Sequence, residues 1–212
     1  MKTKLLLFLI VICSGYIKAQ QLDNSSNVNS EIIDIENPDI EKLNRNIFQY
    51  LNQSRKATNN SIFIYSNELA ASALYHSNNM HNDHFFGHNN GNDVGLETPL
   101  KRILKFEGNY PYIAENISNI TVLNSKNEKN IEIKTDGDNI IYYNSNGEEI
   151  TFHSYDSLAK KIVNEWMNSE KHRKNILNPD LKETGIGVVI YSKGEGIYKQ
   201  YYALITQDLG GY

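Results

Sequence analysis

Glu165-Trp166-Met167-Asn168-Ser169-Glu170-Lys171-His172-Arg173-Lys174-Asn175-Ile176-Leu177 joins a helix end, a helix cap and an imidazole within thirteen residues. Upstream of it, Leu158, Ile162, Val163 and Trp166 recur at helical spacing, so a helix with a buried stripe is predicted from Asp156 or Ser157. Ser169 carries a hydroxyl able to accept the backbone N–H of Lys171 or His172, which predicts the cap of a second short helix that ends before Pro179. A Ser169–His172 hydrolase pair is the weaker reading. A capping hydroxyl turned toward the backbone is poorly placed as a nucleophile, and no Gly-rich elbow surrounds it.

Outward from this stretch the chain alternates helical and extended patterns. Beyond Pro38, the residues Ile40, Leu43, Ile47 and Leu51 predict an amphipathic helix to about Lys56. Ser66 caps a second helix whose Leu69, Ala70, Ala73, Leu74 and Ser77 make a narrow, small-residue face, with Gly87 marking its end. Thr98-Pro99 opens a short helix through Leu104. From about 119 to 153, alternation around Asp136-Gly137 and Asn146-Gly147 predicts hairpins in an inserted segment. Gly185–Tyr191 and Ile197–Gln207 then read as a late antiparallel hairpin. Helices with a late hairpin indicate an α+β domain.

The N-terminus has a separate meaning. Lys2 and Lys4 precede an apolar run from Leu5 to Cys13 that is too short for a stable membrane anchor, and Ala19 offers a small residue for cleavage. Residues 1–20 therefore read as a secretory signal peptide, 21–37 as a polar, flexible leader and 38–212 as one domain. Lipid anchoring through Cys13 is the lesser reading, because the bulky Ile12 precedes it. No cysteine follows the signal, so no disulfide framework is available. Removing Lys2, Lys4 and Lys18 takes the formal net charge from −4 to −7. A mildly acidic surface without a basic block argues against nucleic-acid binding, and a soluble monomer is expected, secreted outside the cell or into a periplasm.

His81, His84 and His88 would share one face if the second helix continued through them, a spacing able to ligate a transition metal. Gly87 and the following Asn residues argue for a polar helix end instead. No Glu completes a His-Glu-x-x-His motif, and Asp136 and Asp138 lack the Glu of a calcium loop. The fourteen tyrosines supply strand residues or the lining of a sugar or peptide groove.

Phe86-Gly87-His88, Ala114-Glu115-Asn116-Ile117, the run from Trp166 to Leu177, Gly185-Ile186-Gly187-Val188 and Gln207-Asp208-Leu209-Gly210 stand in an order that resembles the CAP superfamily. The resemblance runs from roughly Leu43 to Gly210. It implies a three-layer α-β-α sandwich with an antiparallel sheet, here with an inserted hairpin segment. It also implies a cleft lined by His88, Glu115, Ser169 and His172. In the family two His and two Glu can hold zinc or another divalent cation; His88, His172 and Glu115 match, whereas Ser169 stands where the second Glu usually is. The ligand set would then be His88, Glu115 and His172, with metal binding expected to be weak or absent and hydrolysis not expected. The function so implied is a non-enzymatic extracellular binding module for a lipid, sugar, peptide or extracellular protein. The rival is a metal-assisted hydrolase acting on peptide or cell-wall material.

Overall fold

The computed structural model describes residues 31–125, 131–137 and 139–212. The expected signal peptide, Cys13, residues 21–30 of the leader and Asp138 lie outside the described residues. Helix α1 spans Ile40–Ala57; the Asp39 carboxylate accepts the Lys42 N–H and Leu43, Ile47 and Leu51 form its buried stripe. After strand β1 (Ile64–Tyr65), Ser66 caps α2 (Asn67–Asn82) and Thr98 caps α3 (Pro99–Lys105). Strand β2 (Tyr112–Thr121) leads into the insertion, whose strands are β3 (Glu132–Asp136), β4 (Asn139–Tyr143) and β5 (Glu149–Ile150). Helices α4 (Tyr155–Asn168) and α5 (Glu170–Leu177) precede strands β6 (Leu181–Lys193) and β7 (Gln200–Gly211).

The main sheet has the order β1-β6-β7-β2. Its pairs are antiparallel except β1–β6, which is parallel. The expected antiparallel sheet is thus found, with one parallel pair added at the edge where the two-residue β1 carries the chain from the α1 face to the α2 face. On one side Ile186, Val188, Ala203 and Ile205 pack with Leu43, Leu158, Ile162 and Trp166 in the largest core cluster. On the other side α2 lies directly on the sheet. A Cβ at Gly185 would stand 1.9 Å from Ala70 N, and one at Gly187 2.1 Å from Leu74 N. The small face of α2 and the Gly-x-Gly of β6 are therefore one packing solution. With helices on both faces, the domain is the α-β-α sandwich of an α+β protein.

Buried Arg55 holds three elements together at the α1 end. Its guanidinium donates to the carbonyls of Ser61, Ile176 and Leu181 at 2.6, 2.7 and 3.1 Å and lies 3.9 Å from the Phe63 ring centroid. Among the described residues no helix is long and apolar enough to cross a membrane.

Three expected boundaries move. Strand β2 stays paired as far as Thr121, opposite Tyr202, so the insertion starts beyond Asn119. Gly196–Tyr198 forms a short 3-10 turn and β7 begins at Gln200, because the β6–β7 connection needs a turn where strand was expected to resume at Ile197. Residues 31–37, read as leader, include Ile33, which is 2% exposed and donates its N–H to His153 O at 3.0 Å. An isoleucine with a core to enter outweighs the polar composition around it. The insertion is anchored where β7 begins: Tyr142 Oη donates to Lys199 O at 2.7 Å, at the opposite end of the strand from Asp208.

Candidate functional site

The polar cluster sits on the edge strand β2. Glu115 alternates with Asn116, so the two side chains leave opposite faces of the sheet. Toward α2 and α3, Glu115 Oε2 accepts from Arg102 Nη2 at 2.6 Å and Glu115 Oε1 pairs with His88 Nδ1 at 2.7 Å. The carboxylate is 2% exposed and Arg102 is fully buried, whereas the His88 side chain is 50% exposed. Arg102 Nη2 also donates to His88 O at 3.0 Å, fixing the loop that carries the histidine. Behind them, buried His76 meets Gly87 O at 2.9 Å through Nε2, the same nitrogen being 3.8 Å from Glu115 Oε1.

On the opposite face Asn116 ties the strand to α5. Its amide donates to Gln207 Oε1 at 2.9 Å and its oxygen accepts from Asn175 at 2.8 Å. This network places His172 beside β2, with Asn116 Nδ2 3.4 Å from the His172 carbonyl. Asn175, read as a loop tie, therefore joins helix to sheet.

Burial raises the pKa of Glu115, but the His88 hydrogen bond, the electrostatic influence of His76 and the Arg102 guanidinium outweigh it, holding the group below the usual carboxylate range. Burial lowers the pKa of His76 despite the nearby Glu115. His172 is also pushed down, by burial first and then by His88 and Lys171. Asp208, directly across the ladder from Glu115, moves the other way: complete burial and the Glu115 charge raise it well above an ordinary Asp. Neither Asp208 oxygen has a hydrogen-bond partner of ordinary length. A proton held on Asp208 removes the repulsion of two adjacent carboxylates.

The expected sites resolve unevenly. His88 and Glu115 meet directly, and His172 is tied to the same strand only through its carbonyl, which Asn116 Nδ2 reaches at 3.4 Å. Ser169 caps α5 through its backbone only: its carbonyl accepts the Arg173 N–H at 2.9 Å and its hydroxyl makes no capping bond. It is at once the C-cap of α4 and the N-cap of α5, which uses its backbone groups and leaves the predicted hydroxyl bond unmade. The imagined His81-His84-His88 face is absent, since α2 stops at Asn82 and His84 has φ +53°.

The zinc set fares poorly on chemistry. Both Glu115 oxygens are committed to other partners, and among the described residues no group of three His, Cys, Asp or Glu side chains is disposed to hold a metal ion. Two imidazoles remain, fewer than the three protein ligands of a catalytic zinc. Glu115 Oε1 meets His88 Nδ1, so a proton on Nδ1 leaves the Nε2 lone pair of His88 for another partner.

His76, Arg102 and Asp208 were not singled out as site residues. His76 was detectable, because it lies on the buried helical stripe between Ala73 and Met80. Asp208 is a charge in an apolar strand run. Arg102 gave no signal beyond a basic residue in a short helix.

A four-stranded sheet between helical layers, with a His–Glu–Arg cluster at its edge and a second His on the adjoining helix, defines an α-β-α domain with a polar cluster at the sheet edge. The sequence profile of the cysteine-rich secretory protein family, CAP, matches residues 48–204, and the chain belongs to that family. A stretch of 49 residues is 45% identical to the uncharacterized protein YkwD of Bacillus subtilis strain 168, covering 23% of this chain and 18% of that protein. The fold is similar to an extracellular protein containing an SCP domain from Bacillus anthracis, with a TM-score of 0.51 at 21% identity, over 81% of this chain and 41% of that one. An outer surface protein from Borrelia burgdorferi gives a TM-score of 0.49 at 13% identity, over 82% and 96% of the two chains.

Proposed function

We propose that this protein is an extracellular, non-enzymatic binding module whose cleft offers His88 and His172 to a small ligand or, weakly, to a divalent cation. The observation that carries the reading is the double commitment of Glu115, to Arg102 at 2.6 Å and to His88 at 2.7 Å. A carboxylate so engaged is less free to ligate a metal or to activate water, and Ser169 stands where the family pattern has its other acidic group. The signal-like N-terminus, and the description of the Bacillus anthracis relative as extracellular, support secretion.

Calorimetric titration with zinc, comparing the wild type with His88→Ala and His172→Ala, tests this. The expected result is binding weaker than micromolar, lost in both variants, with no cleavage of a peptide substrate. Tight stoichiometric binding accompanied by chelator-sensitive cleavage would overturn it. The hydrolase reading retains one specific support, the Glu115–His88 pair, which has the geometry of an oriented general base. It requires His88→Ala to abolish a hydrolytic activity that Glu115→Gln also reduces.

A further inference from the structure

A second concavity lies on the same face of the sheet as Glu115, farther along β2. Its volume is about 520 Å³, within the range of small-molecule sites. None of His88, Glu115 or His172 lines it. Glu115, Ile117 and Asn119 alternate along one face, so Ile117 separates the cleft from this pocket, in which Asn119 stands at the wall.

The floor is apolar. Met80 and Leu204 cluster there with Ile117, and Phe85 packs against them. Tyr191 forms a side wall, its ring centroid 5.0 Å from that of His81 and its hydroxyl within 3.2 Å of Asn119 Oδ1. Phe86 leaves 54% of its surface open at the mouth. The remaining lining is polar: His81, His84, Ser192 and Lys193.

Two features of this lining point to a ligand. The first is charge. The protein is acidic overall, yet no carboxylate lines the pocket, and among the described residues no acid forms an ion pair with Lys193. The second is His84. The chain closes α2 with His84 N–H directed to His81 O at 3.4 Å and Phe85 N–H to Met80 O at 3.2 Å, the paired bonds of a Schellman ending. The residue between them must adopt φ > 0, where glycine is the unstrained choice, and here it is a histidine at +53°. The sequence thus accepts backbone strain and sets an imidazole at the pocket mouth.

The balance of polar and apolar groups decides the ligand class. A site for an alkyl chain would be apolar throughout, whereas this one alternates aromatic faces with hydrogen-bonding side chains and adds a cation. Sugar rings match that pattern, because one ring face is largely C–H and the edge carries hydroxyls. We propose that this pocket binds an acidic saccharide, its ring against Phe86 and Tyr191 and its carboxylate toward Lys193 and the histidines. The site is separate from the His88–His172 cleft, so either reading can fail without the other.

The test is an amide chemical-shift titration of the purified protein with methyl β-D-glucuronide and methyl β-D-glucoside, which share a ring and differ at the acid. The glucuronide is expected to move the amides of Asn119, Tyr191 and Lys193 and to bind about tenfold more tightly than the glucoside, as one charge-assisted hydrogen bond allows. Lys193→Ala, an exposed substitution, should equalise the two ligands, and Tyr191→Ala should weaken both. His84→Gly should weaken glucuronide binding while raising the melting temperature. Equal affinity for the two glycosides, shifts unaffected by Lys193→Ala and Tyr191→Ala, or laurate moving these amides while the glucuronide does not, would each refute the proposal. His88→Ala should leave the titration unchanged, whatever its effect in the cleft.

Discussion

Glu115 on β2 and Asp208 on β7 face each other directly across an antiparallel ladder, both buried from water. Like charges so placed oppose folding, and the chain resolves the conflict by pairing Glu115 with Arg102 and keeping the Asp208 proton. The family-pattern Glu therefore depends on a partner acid that gives up its charge.

Asp208→Asn should stabilise the protein at neutral pH. Its folded pKa is raised by burial and by Glu115, so between the ordinary Asp pKa and that raised value the folded state holds a proton that the unfolded state releases. Wild-type stability accordingly falls as pH rises through this window, and a neutral amide does not incur the loss. Thermal melts across pH should show the variant's advantage growing from acid toward neutral pH and vanishing below the ordinary Asp pKa. An advantage independent of pH would contradict the assignment.

Arg102→Ala should destabilise by about 3–5 kcal/mol, because it leaves the Glu115 carboxylate buried without its charge partner. Replacing both, as Arg102→Met with Glu115→Met, should recover much of the loss, since an apolar pair of similar volume removes two desolvated charges together. Denaturant unfolding of Arg102→Met, Glu115→Met and the double variant gives the coupling directly. If the cluster also orients His88, any ligand affinity of the cleft should remain lost in the double variant even where stability returns.

Much of this architecture is legible in the sequence, because periodicity and caps act locally. Leu43, Ile47 and Leu51 mark α1, Ser66 and Thr98 cap their helices, and Asp136-Gly137 turns a hairpin, each as expected. The site was legible only as far as its motifs. His88 and Glu115 were identified but their direct hydrogen bond was not, because a ligand and a hydrogen-bonding partner have the same residue type and differ only in which atoms they face. Arg102 and Asp208 escaped because their role is created by register and by the docking of α3, both long-range properties. Ser169 misled for a related reason: its place at the helix junction was right, but the adjoining helix end had already fixed its backbone.

His153 should give the fold an acid-sensitive component. It lies where the insertion meets α4, with Nδ1 2.9 Å from Ser157 Oγ. Burial, and then the charge of Lys161, push its pKa down from 6.5 to about 4. The unfolded state thus takes up a proton first as pH falls, so the stabilising contribution is present above about pH 6.5 and lost by about pH 4. His153→Asn should flatten the stability–pH curve in that interval by at most about 1.4 kcal/mol per pH unit. His76 and His172 are also depressed and contribute with the same sign, so some slope should remain. An unchanged slope in urea unfolding at stepped pH would show that His153 titrates normally.

Gly187→Ala should be among the most damaging single-methyl changes in the chain. The added Cβ would stand 2.1 Å from Leu74 N and 2.4 Å from Ala73 C, backbone atoms that cannot rotate away. Relief requires α2 to lift from β6, which would weaken the Ser77 Oγ bonds to Gly187 O and Thr206 Oγ1, both 2.9 Å. Overpacking in a close-packed interior costs about 1–3 kcal/mol, and the loss of buried hydrogen bonds adds to it. Gly147→Ala is a control of opposite character: nothing lies within 4 Å of its Cβ, and only the positive φ of +77° opposes the change. Denaturation midpoints should therefore fall much further for Gly187→Ala than for Gly147→Ala. Equal losses would mean that glycine's backbone freedom, rather than the close approach of α2, explains the residue at 187.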